Sequence, residues 1–246
     1  MTTLTTHSRE LDRTFRNQML NLVTDLEGSS EVGGLFLHPG ARAGGLGMLL
    51  ARSRYLFIAM HRARFGERLL AELRGVVDAQ GNAPFWDGVA GRFFGMSFRD
   101  ADEFNALHGN QFIADLMPKN PIYVNMISDE AREAIAVTHE SGRPARRMLE
   151  AEGFRFENYV DIFDAGPTMI ARTDQVKTIA ETQPATLAAS PASKGQRALV
   201  AAGELRDFRC AVARVETLDD GALAVDAEAA SALKLNPGDR LCWAPR

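Results

Sequence analysis

The sequence predicts an α/β (α+β) chain, and three stretches of it carry that prediction. Residues 33–59, GGLFLHPGARAGGLGMLLARSRYLFIA, read as a strand, a glycine-rich turn and an amphipathic helix in immediate succession. Residues 83–98, APFWDGVAGRFFGMSF, give a short helix, a glycine turn and a further strand. Near the end of the chain RCAVARVE, GALAVDA and GDRLCWA alternate apolar and polar residues between turn signals, the pattern of a small C-terminal β element.

Taken in order, residues 20–37 place apolar residues on both sides of the turn-like Asp25-Leu26-Glu27-Gly28, which predicts two adjacent strands. The second holds Leu35, Phe36 and Leu37, whose side chains are expected in the core, and stops at Pro39 and Gly40. Arg42-Ala43-Gly44-Gly45-Leu46-Gly47 follows. From Leu46 the apolar positions 46, 49, 50, 56, 57 and 60 take helical spacing with one buried stripe, and the helix is expected to end near Gly66. Glycines let backbone N–H groups converge, and the first helical turn leaves its N–H groups without internal acceptors, so the pair builds an anion site. Charge agrees: residues 41–75 hold seven arginines against Glu67 and Glu72, in a chain of net charge −4. From the spacing alone, a tight turn before a solvated, arginine-rich helix fits equally well. Gly-Lys-Ser/Thr and G-x-G-x-x-G are both absent from this loop, which leaves R-x-x-G-x-G after a strand.

Residues 69–73 predict the next strand. A second unit starts near Phe112. In it Ser128 caps a helix over 129–137 that carries Asp129 and Glu130 in its first turn and an apolar face of Ala131, Ala134 and Ile135. Pro144 opens another helix, ARRMLEAEG, closed by Gly153, and FRFENYVDIFD follows as an alternating strand. PARRMLEAEGFRF and PFWDGVAGRFFGMSF share a proline, helix, glycine and strand plan, a hint of two related halves. Residues 182–196, rich in Ala, Ser, Pro and Thr, read as a linker. The expected division is 1–110, 111–181, the linker 182–196, and a β-rich tail 197–246 that serves packing and association.

Composition narrows the function classes. At 246 residues and 46% hydrophobic, the chain can bury one sizeable core or two modest ones. It holds no apolar run of membrane-spanning length and no secretory h-region, so a cytoplasmic protein is expected. Cys210 and Cys242 lack metal-ligand neighbours, so no metal site is predicted and free thiols are expected. An isoelectric point near 5.8 argues against nucleic acid as a partner.

R-x-x-G-x-G after a strand is the pyrophosphate signature of the acyl-CoA N-acyltransferases, the GNAT-like fold, and the chain resembles the arginine N-succinyltransferase family within it. The resemblance runs in order through SSEVGGLFLHP (29–39), SRYLFIA (53–59), AELRGVVD (71–78), APFWDG (83–88), RFFGMSF (92–98), FIADLMPKNPIY (112–123), residues 139–168 and NPGDRL (236–241). HSRELDRTFRNQ (7–18) resembles a segment well inside the family's usual sequence, so the usual N-terminal segment is expected to be lacking. Gly40-Ala41 stands where the family usually has an acid and an aromatic, and Asn120 where it often has histidine.

The resemblance implies a mixed sheet flanked by helices, with a cofactor half and a second, related half. It implies succinyl-CoA as acyl-donor cosubstrate, L-arginine as acceptor, and a homo-oligomer or a hetero-oligomer with a related subunit. Acyl transfer from a thioester to an amine needs an oxyanion site and a proton for the leaving thiolate, with no covalent nucleophile. By resemblance the backbone of Leu35, Phe36 and Leu37 meets the acyl thioester, and Arg42, Gly44, Gly45 and Gly47 hold the pyrophosphate.

Of five histidines, His139 matches the family's proposed proton donor and opens a Ser-Gly-Arg-Pro loop, while His38 lies beside the anion loop. A guanidinium acceptor calls for carboxylates, with Glu31, Glu72, Asp161 and Asp164 as candidates. Lys119 or Arg74 is available for a carboxylate of either substrate. Each of these residues fits a surface ion pair or a loop cap as well. Three functions remain open: arginine N-succinyltransferase, an N-acyltransferase for another amine such as ornithine, and a non-catalytic partner subunit.

Overall fold

A computed structural model describes residues 1–246. Contacts divide the chain into two compact units, the first formed by Met1–Gly28, Leu70–Glu150 and Phe154–Ile170, the second by Ser29–Leu69, Ala151–Gly153 and Ala171–Arg246.

The chain opens with a hairpin, β1 (Thr2–Ser8) and β2 (Arg13–Leu20), paired antiparallel from Thr2↔Met19 to Ser8↔Arg13. The two strands expected over 20–37 are not there. Only Ser30–Glu31 forms a strand, β3, and residues 32–38 carry no regular structure. Gly34 adopts φ +63°, which breaks the pleat, and Leu35 and Phe36 are 37% and 72% exposed, so the expected core burial of their side chains is also corrected.

Helix α1 (Leu46–Met60) forms over the expected residues, but it buries Ala51, Tyr55, Leu56 and Ile58; of the expected stripe only Leu56 is buried, Leu49, Phe57 and Met60 are half-buried, and Leu46 and Leu50 are exposed. It ends at Met60, six residues before Gly66, because the chain tightens into a 3₁₀ turn over Arg62–Arg64. Strand β4 (Arg68–Glu72) follows as expected.

Trp86–Ala90 is a π-helical turn leading into α2 (Gly91–Phe94), and Gly95 closes it in the left-handed conformation. The strand expected next is instead the helix α3 (Phe98–His108): Ser97 Oγ accepts from the Asp100 N–H and starts a helix in the apolar run. The short α4 (Gln111–Leu116) and β5 (Ile122–Tyr123) come next, and β5 extends the hairpin sheet in the order β1-β2-β5.

Ser128 caps α5 (Asp129–Ala134) through the Ala131 N–H, and α6 (Arg143–Ala151) ends before Gly153 at φ +97°. Strands β6 (Arg155–Val160) and β7 (Pro167–Arg172) pair antiparallel, with the register shifting between Phe156 and Val160. The two segments read as a repeated plan agree up to their glycines and then diverge, since α3 follows Gly95 and β6 follows Gly153.

After α7 (Lys177–Glu181), the segment read as a linker carries β8 (Gln183–Thr186) and buries Leu187, Ala188 and Ala192. Strands β9 (Gln196–Ala202), β10 (Arg209–Thr217) and β11 (Leu223–Val225), helix α8 (Ala227–Leu233) and strand β12 (Arg240–Pro245) complete the chain. They form a five-stranded antiparallel sheet, ordered β11-β10-β9-β12-β8, which is the expected C-terminal β element.

Each unit has its own core. In the first, Trp86 stacks between Phe94 and Phe163, with ring centroids 5.3 Å away on either side, and its Nε1 donates to the Met96 carbonyl at 2.9 Å. In the second, Val200, Val215, Leu223, Leu233 and Leu241 pack under the C-terminal sheet.

Cys210 and Cys242 are free. Both lie opposite Ala201, from the strands on either side of it, so two interstrand spacings of about 4.8 Å separate them, more than a disulfide spans. Burial pushes the Cys210 thiol up to about 12 and raises that of Cys242. At pH 8 only about one Cys210 in 10⁴ is thiolate. Neither thiol is therefore expected to react with a disulfide reagent on a minutes scale until denaturant is added. A stoichiometric native reaction would contradict this packing.

Candidate active site

The glycine loop lies in the second unit. Gly45 is the N-cap of α1 at φ +84°, directly after Gly44 at φ +66°. Only glycine holds two successive left-handed conformations without strain. Gly45 brings no capping side chain and the first turn of α1 holds no acid. Leu49 N–H reaches the Gly45 carbonyl at 3.1 Å, whereas Gly47 and Met48 lie in the turn where a helix supplies no acceptor. This exposed positive helix end suits an anion. Arg246 adds charge, its Nη2 standing 2.8 Å from where a Cβ on Gly45 would sit. Gly45→Ala pushes that guanidinium aside and strains a residue at φ +84°, so calorimetry is expected to show at least about tenfold weaker CoA binding. Unchanged affinity would remove the loop from the CoA surface.

Upstream of the loop, Arg42 Nε donates to the Leu37 carbonyl at 3.1 Å and Arg54 Nη1 to the Gly33 carbonyl at 3.3 Å. The segment is thus braced through its carbonyls, and no acceptor in the chain takes the N–H groups of Leu35, Phe36 or Leu37. Backbone donors free of a ladder are what an acyl carbonyl becoming an oxyanion requires. His38 is occupied locally, its Nδ1 accepting from the Gly40 N–H at 3.2 Å.

His139 lies in the first unit, half-buried, at the end of the turn after α5. Its backbone N–H donates to the Arg74 carbonyl at 2.8 Å, which fixes the residue. Its Nδ1 accepts from the Ser141 N–H at 3.2 Å and lies 2.8 Å from Ser141 Oγ. Nε2 is thereby the ring nitrogen left for a reacting partner, and the imidazolium form presents Nε2–H as a general acid while its Nδ1–H donates to Ser141 Oγ.

The substrate candidates are spread out. Glu31 is exposed in the second unit on β3. Lys119 is exposed in the first unit and its Nζ donates to the Ala114 carbonyl at 3.3 Å. Arg74 is exposed and its carbonyl anchors His139. Asp164 is buried and its two oxygens accept from the Gly75 and Gly166 N–H groups at 2.8 Å each, so it latches a backbone approach. Glu72 and Asp161 come together on the wall of one cavity in the first unit. Sequence reading missed Arg54 and Arg246, whose partners are backbone and glycine positions that leave no pattern.

Residues 1–178 match the family model described as arginine N-succinyltransferase beta subunit. The chain belongs to that family. Residues 183–245 match the model for the C-terminal domain of the same subunit. The arginine N-succinyltransferase subunit beta of Pseudomonas aeruginosa is 42% identical over 94% of this chain and 68% of its own length. The arginine N-succinyltransferase of Escherichia coli strain 55989 is 41% identical over 97% of this chain and 70% of its own length. Among solved structures, that of arginine/ornithine succinyltransferase subunit AI from Pseudomonas aeruginosa superposes with a TM-score of 0.82 at 30% identity. It covers 99% of this chain and 71% of that one. Family and neighbour together fix the fold as that of the succinyltransferases, an α/β chain of sheets and helices. No helix is long and apolar enough to cross a membrane.

Proposed function

We propose that this chain is a succinyl-CoA-dependent acyltransferase that moves a succinyl group to the α-amino group of L-arginine, a step of arginine catabolism. The observation that carries the reading is the uncapped, glycine-built N-terminus of α1 beside three unladdered N–H groups, in a chain of the arginine N-succinyltransferase family. The pyrophosphate of succinyl-CoA binds Arg42, Gly44, Gly45 and Gly47. The neutral amine of arginine attacks the thioester carbonyl, and its electrons move onto oxygen, where Leu35 to Leu37 donate N–H groups. The tetrahedral intermediate then collapses, the C–S bond breaks, the departing thiolate takes a proton from Nε2 of the His139 imidazolium, and the proton shed by the attacking nitrogen restores that imidazolium. The amide product keeps the acyl group and free CoA leaves.

A second acceptor is supported by the name of the structural neighbour, which includes ornithine. The names of two relatives, subunit beta and subunit AI, support assembly with further chains. The free cysteines and the lack of a membrane-crossing helix are in keeping with a cytoplasmic setting.

Thiol release from the purified chain tests the reading, with succinyl-CoA or acetyl-CoA against L-arginine or L-ornithine. Turnover favouring succinyl-CoA and L-arginine is expected. CoA binding without turnover, restored by a longer relative, would overturn it in favour of an accessory subunit.

A further inference from the structure

His139 is held where the pairing of two neighbouring strands runs out. Strands β4 and β7 lie side by side, and just past the end of β4 the Leu73 N–H still reaches the Pro167 carbonyl at 3.2 Å. Beyond that point the N–H groups of Gly75 and Gly166 turn to Asp164 instead, donating to Oδ2 and Oδ1 at 2.8 Å each. A Cβ on Gly75 would run into the Asp164 carbonyl and one on Gly166 into that of Leu73, so this approach of backbone to backbone needs both glycines. Asp164 is 8% exposed, and a buried carboxylate persists only where it is hydrogen-bonded. Both of its bonds go to the two stretches of chain that carry His139. The His139 N–H donates to the Arg74 carbonyl at 2.8 Å, and the Ala136 N–H to the Ala165 carbonyl at 2.9 Å. Arg74 directly precedes Gly75, and Ala165 directly precedes Gly166. Ala136 and Ala165 stand at φ +61° and +55°, a conformation that side chains disfavour and that lasts only where the surroundings over-determine it.

We infer, on the reading of His139 as proton donor given above, that Asp164 is its positioning residue: through Gly75 and Gly166 it sets the Arg74 and Ala165 carbonyls, and these fix the backbone of residues 136–139. The contacts of Nδ1 with Ser141 orient the ring, whereas the Asp164 latch places the backbone from which the ring projects. Proton transfer needs heavy atoms within about 2.6–3.2 Å of each other. A misplacement of about 1 Å costs on the order of 10²-fold in rate, so a carboxylate that never meets a substrate governs turnover all the same.

Asp164→Asn keeps the shape of the side chain but sets an NH₂ against one of the two N–H groups. It is expected to lower kcat for thiol release about 10- to 10²-fold while the KM for L-arginine and the Kd for CoA hold. In a His139→Ala background the same substitution is expected to remove nothing further, because a residue that acts only through the imidazole has no effect once the imidazole is gone. A second loss of the same size there would mean a general structural role, and a raised KM with unchanged kcat would mean a role in acceptor binding; either overturns the inference. Native-state hydrogen exchange on the unsubstituted chain reads the latch without a variant. The amides of Gly75, Ala136, His139 and Gly166 are expected to open as one unit, with protection within about threefold of one another. A His139 amide exchanging at least about tenfold faster than that of Gly75 would overturn the latch, whether or not Asp164→Asn folds. Joint opening combined with wild-type turnover of His139→Ala would uphold the placement of His139 by Asp164 and overturn the proton-donor reading instead.

Discussion

Replacing His139 by alanine is expected to lower turnover by about 10²- to 10⁴-fold while leaving CoA affinity unchanged. The side chain makes two contacts, both at Nδ1 and both to Ser141, so its removal releases one N–H and one hydroxyl in an exposed turn. The backbone anchor, His139 N–H to the Arg74 carbonyl, survives the substitution. Stability should therefore change little, and an unaltered melting temperature is the control. If Nε2–H delivers the proton to the leaving thiolate, added imidazole should restore part of the rate in the alanine variant. A better leaving thiol in the acyl donor should shrink the difference between variant and wild type. Ser141→Ala tests the orientation of the ring. It removes the hydroxyl but keeps the N–H that holds Nδ1, so a loss nearer tenfold is expected. Near wild-type turnover of His139→Ala at every pH would end the assignment.

The parts of this chain that were legible in its sequence are those where one local rule acts unopposed. Ser128 with two acids after it specifies the start of α5, and the spacing from Leu46 specifies α1. Gly44 and Gly45 mark the loop because the left-handed conformation all but demands glycine. Reading failed where two rules compete. Residues 32–37 are apolar enough for a strand, yet Gly34 and the bracing arginines Arg42 and Arg54 draw the segment out of any ladder, and Leu35 and Phe36 stay exposed. Residues 98–108 begin with an aromatic that suits a strand, but the Ser97 cap starts a helix. The first hairpin went unread because β1 and β2 alternate without a clear apolar face, and most of their residues are exposed. The cavity carrying Glu27, Glu72 and Asp161 joins residues more than a hundred positions apart, a proximity that a single sequence does not encode.

Arg52 was likewise hidden, read as one more cation of a basic helix, yet it is 6% exposed. Its Nε lies 3.0 Å from Glu152 Oε1 and donates to Thr178 Oγ1 at 2.7 Å, and its Nη2 donates to the Pro245 carbonyl at 2.9 Å. Glu152 is equally buried and also accepts from the Thr178 N–H and hydroxyl, both at 2.8 Å. The network ties α1, the turn after α6, the start of α7 and the end of β12 within the second unit. Removing one partner strands the other charge, so Arg52→Met and Glu152→Gln are each expected to cost about 3–5 kcal/mol in unfolding experiments. Such a loss is large against a typical total of about 5–15 kcal/mol. The pair itself contributes much less than either single loss suggests, because its desolvation offsets most of its attraction. The double variant Arg52→Met/Glu152→Gln should therefore be more stable than the sum of the single changes predicts, by a coupling of about 1–3 kcal/mol. Since α1 carries the glycine loop at its first turn, saturating CoA should raise the melting temperature of both single variants by mass action. Strict additivity in the double variant would mean that Arg52 acts through the Pro245 carbonyl alone and that Glu152 serves only to cap Thr178.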